Sequence, residues 1–195
     1  MEKKYKTLTI NTIIYAIGSF GSKFITFFLV PFYTAFLTTE QYGIANLALN
    51  FSNILIPIAS LMIQDALLRF TLEDKENKYV LLANSFFVYI IGFLIILALT
   101  PLLNFYTALA SYKWYIFLFA IVNGAENILC SYCRAIDKNK LYSLAGLIQT
   151  IFMIGTNIVL IAVLKLGVEG FLIGNIISHC VILLFLFFTT KAYKV

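Results

Sequence analysis

Charge is scarce in this chain. Only 12% of its 195 residues are charged, 62% are hydrophobic, and mean hydropathy is +0.94. A soluble domain carries about a quarter charged residues, so that class is excluded. Histidine is equally sparse. His179 stands alone, and no other side chain sits at metal-ligand spacing from it, so it reads as a hydrogen-bonded packing residue and neither a metal nor a cofactor is expected. The three cysteines, Cys130, Cys133 and Cys180, fall in apolar segments and read as small buried hydrophobes. The CSYC spacing lacks both the strand-helix context and the second ligand pair of a redox or zinc motif. Strand alternation and soluble catalytic motifs are missing too. The connectors TTEQY, TLEDKENK, FYTALASYK, AIDKNK and KLGVEG are too short for a soluble domain, and too poor in acids and histidine for a loop-borne membrane enzyme. The net charge of +5 is not a nucleic-acid signal, because the basic residues lie in separate short loops.

What remains is apolar sequence in long runs. Six segments can span a bilayer, at about 8–37, 43–70, 80–104, 114–135, 141–164 and 168–190, each near or above the roughly 20 residues that the hydrocarbon core requires. A bilayer admits only helices or closed barrels, so the expected fold is all-α, a polytopic bundle of six helices. The basic start at Lys3, Lys4 and Lys6 resembles a signal peptide, but the apolar run after it is too long, and it is read as a retained first span. With the N-terminus cytoplasmic, that side collects Lys3, Lys4, Lys6, Arg69, Lys75, Lys78, Arg134, Lys138, Lys140, Lys191 and Lys194, while the other holds Lys113 and Lys165. This bias predicts a multi-pass protein of the cytoplasmic membrane with both termini inside the cell.

Within the spans, polar residues are few and patterned. Lys23 falls near the middle of the first span, where an ammonium costs about 2.5–3.5 kcal/mol to insert, so it is expected to face a watery cavity or protein interior. Snorkelling or a structural ion pair are the alternatives. Thr12, Ala16, Ser19, Lys23 and Thr26 form one small, polar stripe. In the second span Asn46, Asn50, Asn53, Pro57, Ser60 and Gln64 follow at steps of four and three, which predicts one continuous polar face and a cavity wall. Asp65 and Arg69, at i and i+4, are expected to pair at its end. The third span is apolar all round and reads as the outer helix. Span four carries Asn123, Glu126 and Asn127 near mid-membrane and Arg134 at its cytoplasmic end. Glu126 has two open readings, pairing with Lys23 or exchanging a proton with the medium. Span five offers Gln149, Thr150, Thr156 and Asn157, with Gly146 and Gly155 for close packing. Span six offers Gly170 and Gly174 at helix-packing spacing, then Asn175, Ser178 and His179.

Several stretches together resemble one family. LTTEQYGIANLALNFSNILIPIASL followed by QDALLRF is similar to the first helix-loop-helix of bacterial polysaccharide-repeat flippases, the Wzx-type branch of the superfamily that includes multidrug exporters and the lipid II flippase. The shared features are a basic residue in the first span, an outer loop ending at Tyr42 and Gly43, and an end with Ala66, Arg69 and Phe70. CRAIDKNKLYS, from 133 to 143, resembles the family's cytoplasmic turn between helices four and five. The resemblance implies two six-helix lobes around a central cavity with alternating access, and a polyprenyl-pyrophosphate-linked oligosaccharide as cargo. Lys23 then matches the family's cationic cavity residue. Residues 1–195 correspond to the N-terminal lobe only, so the expected partners are the bilayer, the lipid-linked cargo and a missing C-terminal lobe or second chain. A fragment and a disrupted gene product also fit that length.

These observations define the expected function as oligosaccharide-lipid translocation for surface polysaccharide, without enzymatic activity. Lys23, Asn46, Asn50, Asn53, Gln64, Asn123, Glu126 and Asn127 are its candidate cavity residues, and Asp65, Arg69, Glu126 and Arg134 its candidates for coupling or ion pairing. An ion-coupled exporter of small molecules on the same fold is the alternative. A membrane enzyme of glycan assembly comes third.

Overall fold

The computed structural model describes residues 27–73, 77–99 and 107–192. Among them every regular element is helical: α1 (Phe27–Phe36), α2 (Thr39–Ser60), α3 (Ile63–Glu73), α4 (Lys78–Leu99), α5 (Thr107–Ala110), α6 (Lys113–Ala135), α7 (Asn139–Asn157), and α8 (Gly167–Thr190). A π-helical extension, Ile158–Val163, continues α7. Five of these are long and apolar enough to cross a membrane: Thr39–Ser60, Lys78–Ala98, Lys113–Ala135, Asn139–Val163 and Gly167–Thr190. The chain is a multi-pass helical membrane protein. Residues 8–26 of the first expected span, Lys23 among them, lie outside the described residues, as do residues 100–104 at the end of the third.

The second expected span, 43–70, is divided. A capping box opens it: the Gln41 amide donates to Thr38 Oγ1 at 3.2 Å, and the Thr38 amide donates to Gln41 Oε1 at 3.1 Å. The helix then runs to Ser60. Pro57 has no N–H for the carbonyl four residues back, and Leu61 and Met62 adopt left-handed backbone at φ 47° and 57°. Ser60 Oγ accepts from the Met62 amide at 3.3 Å, which terminates the helix there. α3 therefore starts afresh at Ile63, and the expected end-to-end stripe from Asn46 to Gln64 is broken. Sequence periodicity misses this because only Pro57 marks the interruption, four residues early.

α6 is the axis of the bundle. Ile116, Ala120, Ile128, Leu129, Tyr132 and Cys133 are fully or almost fully buried along it, and it packs against α8 most extensively, then α3, α2 and α4. Two side chains bolt neighbours to its backbone. Ser52 Oγ donates to the Ile116 carbonyl at 3.1 Å, and Tyr89 Oη to the Ala120 carbonyl at 2.8 Å. Each such buried bond contributes on the order of 1 kcal/mol. α4 packs on α2, α3 and α6, and its opposite side exposes Phe87, Ile90, Ile91, Leu94 and Ile95, the lipid-facing surface expected of an outer helix.

Glycines set two crossings. A Cβ on Gly92 would collide with the Ala59 carbonyl, so α4 meets α2 backbone to backbone. On α8 a Cβ at Gly170 would lie 3.0 Å from the Leu160 carbonyl, and one at Gly174 would collide with Asn157 Oδ1. The Gly170 and Gly174 spacing thus marks where α8 meets α7 and its extension, as expected. Gly155 behaves differently, with nothing near its Cβ position, and Gly146 lines a cavity. Gly155 is therefore not a close-packing glycine.

Candidate functional site

The candidate site is a cavity of about 520 Å³. Its floor is one face of α6, where Asn123, Glu126, Asn127, Cys130, Ser131 and Arg134 recur at helical steps of three and one. Gln64 and Asp65 from the start of α3 form one side, and Tyr142, Ser143, Gly146 and Gln149 of α7 form the other. His179 of α8 closes it. α3 and α7 pack on α6 or its neighbours but make no extended contact with each other, which leaves the space between them.

The centre of the site is a carboxylate–imidazole pair. Glu126 is 5% exposed, and its Oε2 lies 2.6 Å from His179 Nδ1. The contact is a short hydrogen bond. The Gln149 side-chain amide nitrogen stands 2.9 Å from Nδ1 and 3.2 Å from Nε2. The ring thus meets both Glu126 and Gln149, and its tautomer sets which nitrogen donates. Phe119 meets the ring edge-on, with centroids 5.0 Å apart, and holds its orientation.

An amide chain runs from this pair toward α2. Asn127 Nδ2 donates to Asn123 Oδ1 at 3.2 Å, and Asn123 Nδ2 donates to Asn53 Oδ1 at 3.3 Å. Toward the other end, Arg134 Nη2 donates to Ser131 Oγ at 2.9 Å, and its guanidinium lies 5.4 Å from the Tyr142 ring centroid. Arg134 Nε is buried without a hydrogen-bond partner.

The expected cavity residues separate accordingly. Gln64, Asn123, Glu126 and Asn127 line the cavity, and Asn53 adjoins it through Asn123. Asn46 does not line it; its amide turns back to the Tyr42 carbonyl at 2.9 Å. Asn50 is exposed on α2 and also stands outside the lining. The expected Asp65–Arg69 pair is replaced by another. Arg69 Nε reaches Glu73 Oε1 at 3.2 Å, one turn onward, while Asp65 lines the cavity instead. The reason is the break at Leu61 and Met62, which puts Asp65 in the first turn of a new helix and lets Glu73, in its last turn, compete for Arg69. Glu126 and His179 find each other across α6 and α8, a pairing sequence reading missed. Both are the lone ionisable groups in the middle of their helices, and that signal was available.

Among the described residues no group of three His, Cys, Asp or Glu side chains could hold a metal ion. Cys133 is a core residue, whereas Cys130 lines the cavity. No protein-family model matches the chain, and no curated protein or solved structure matches it significantly.

Proposed function

We propose that the chain forms one lobe of a transporter that carries a polyprenyl-pyrophosphate-linked oligosaccharide across the cytoplasmic membrane. The observation that supports this reading is the polar cavity inside an otherwise apolar bundle. Its amides and hydroxyls, from Gln64, Asn123, Asn127, Ser131, Ser143 and Gln149, offer both donors and acceptors, the chemistry that sugar hydroxyls require. At about 520 Å³ it has the size of a ligand site. In this reading a second lobe or second chain supplies the facing wall. Lys23 meets the pyrophosphate near mid-membrane, and both termini are cytoplasmic.

The test is surface polysaccharide in a bacterial strain lacking its flippase, with the chain expressed beside a C-terminal lobe. Replacing Asn123 and Asn127 together by Leu keeps the helix apolar and insertable but removes two sugar-binding amides, and polysaccharide should be lost at equal expression. Unchanged polysaccharide ends the proposal.

One observation favours a second reading. The Glu126–His179 pair is a hydrogen-bonded carboxyl–imidazole couple on a cavity wall, which suits an ion-coupled exporter of small molecules. In that case Glu126→Gln abolishes ion-driven efflux of small amphipathic compounds.

A further inference from the structure

Arg134 is the one lysine or arginine on the cavity lining among the described residues. It comes from the last turn of α6, eight residues beyond Glu126, a rise of about 12 Å along the helix. Among the described residues no carboxylate lies within ion-pair distance of its guanidinium; the two ion pairs are Arg69 with Glu73 and His179 with Glu126. Asp65 shares the cavity without touching it. What holds Arg134 is one hydroxyl, Ser131, and one ring, Tyr142.

A half-buried guanidinium is ordinarily matched to an acid, because a buried donor left unpaired costs about 1–3 kcal/mol. Here Nε is such a donor. The side chain is oriented by neutral neighbours, has no carboxylate within ion-pair distance among the described residues, and borders space large enough for a ligand. Guanidinium groups recognise phosphate through a planar, two-point fork.

We infer that the Arg134 end of the cavity is a seat for a phosphate-bearing anion, held by Arg134 with the Ser131 and Ser143 hydroxyls beside it. This deepens the transporter reading and rests on it for the cargo's identity. It separates the cavity into an anion end at Arg134 and an amide end at Asn123 and Asn127, where Glu126 and His179 also stand. The phosphate could belong to the cargo's pyrophosphate or to an anionic phospholipid headgroup.

The experiment is thermal unfolding of the purified full chain in detergent against increasing inorganic pyrophosphate. A second arm uses nanodiscs of phosphatidylcholine with or without phosphatidylglycerol. Wild type should show a saturable rise in Tm with pyrophosphate. Arg134→Gln should weaken the apparent affinity at least tenfold, Arg134→Lys should keep part of it, and Asp65→Asn should strengthen it by removing an acid that lines the same cavity. Stabilisation by phosphatidylglycerol that Arg134→Gln abolishes assigns the seat to a lipid headgroup, and the site stands. No saturable response to either anion in wild type, or equal responses in wild type and Arg134→Gln, overturns the inference and leaves Arg134 as a brace between α6 and α7. If Arg134→Gln does not fold, wild type and Arg134→Lys decide: a flat wild-type titration overturns the site. Binding is measured without translocation, so this site and the transporter reading can fail independently.

Discussion

Glu126 and His179 are each other's partner on the wall of the cavity. Removing one of them leaves the other with an unmet hydrogen bond, and the penalty falls on the remaining group as much as on the lost contact. A double-mutant cycle exposes this. Glu126→Leu and His179→Leu should each lower stability, and the double variant should lose less than the sum of the two, with a coupling of about 1–3 kcal/mol. Thermal unfolding in detergent measures it; strictly additive losses would mean that the 2.6 Å contact carries no coupling. At this scale the sequence was informative about chemistry and silent about partners. Glu126, Asn123 and Asn127 stand out as polar residues in an apolar helix, but whether Glu126 meets a group on the first helix or on the last is a matter of how helices are arranged in three dimensions. Asn46 stands apart from this cavity. Its position fits the stripe, and one of its amide hydrogens goes to a carbonyl one turn back on its own helix, a local bond that periodicity does not reveal.

Among the elements, the junction of α2 with α3 and the crossing of α2 with α4 decide where the cavity wall stands. Gly92 lets α4 approach so closely that any side chain there meets the Ala59 carbonyl. Backbone cannot swing aside as a side chain does, so Gly92→Ala should push the helices apart and cost several degrees in Tm, on the order of 1–3 kcal/mol as for other overpacking. Gly155→Ala is the control. Nothing lies within 4 Å of its Cβ position, so that change should be neutral or slightly stabilising through better helix propensity. Equal effects at the two positions would contradict the crossing. The Thr38 and Gln41 capping box fixes the start of α2, four residues before the expected span. Its end was illegible at Leu61 and Met62, two apolar residues with left-handed backbone, because nothing in their side chains favours that conformation.

For the whole molecule, the five helices that are long and apolar enough to cross a membrane agree with five of the six expected spans to within a few residues, the second only as far as Ser60. Hydropathy reads span number well because the bilayer forbids unsatisfied backbone. Sidedness rests on the basic loops, and fusions test it: reporters after Lys78, Lys138 and Val195 should be cytoplasmic, and those near Gln41, Ser111 and Gly167 should be on the opposite face. A reversed or irregular alternation would contradict that topology. The cavity itself was only half legible, since α6 displays its polar face in sequence while the contributions of α3 and α7 depend on the gap between them.

The central claim is that this gap is a wet binding path and not a set of polar residues that satisfy one another in the packed state. Cysteine accessibility measures it directly. In a background with Cys130, Cys133 and Cys180 replaced, single cysteines at Asn123, Asn127 and Gln149 should react with a membrane-impermeant thiol reagent, while one at Ile128, which is fully buried, should not. Added polyprenyl-pyrophosphate-linked oligosaccharide should slow labelling at the first three several-fold. Cavity cysteines as inert as the one at Ile128, or labelled at a rate that the ligand leaves unchanged, would contradict the account.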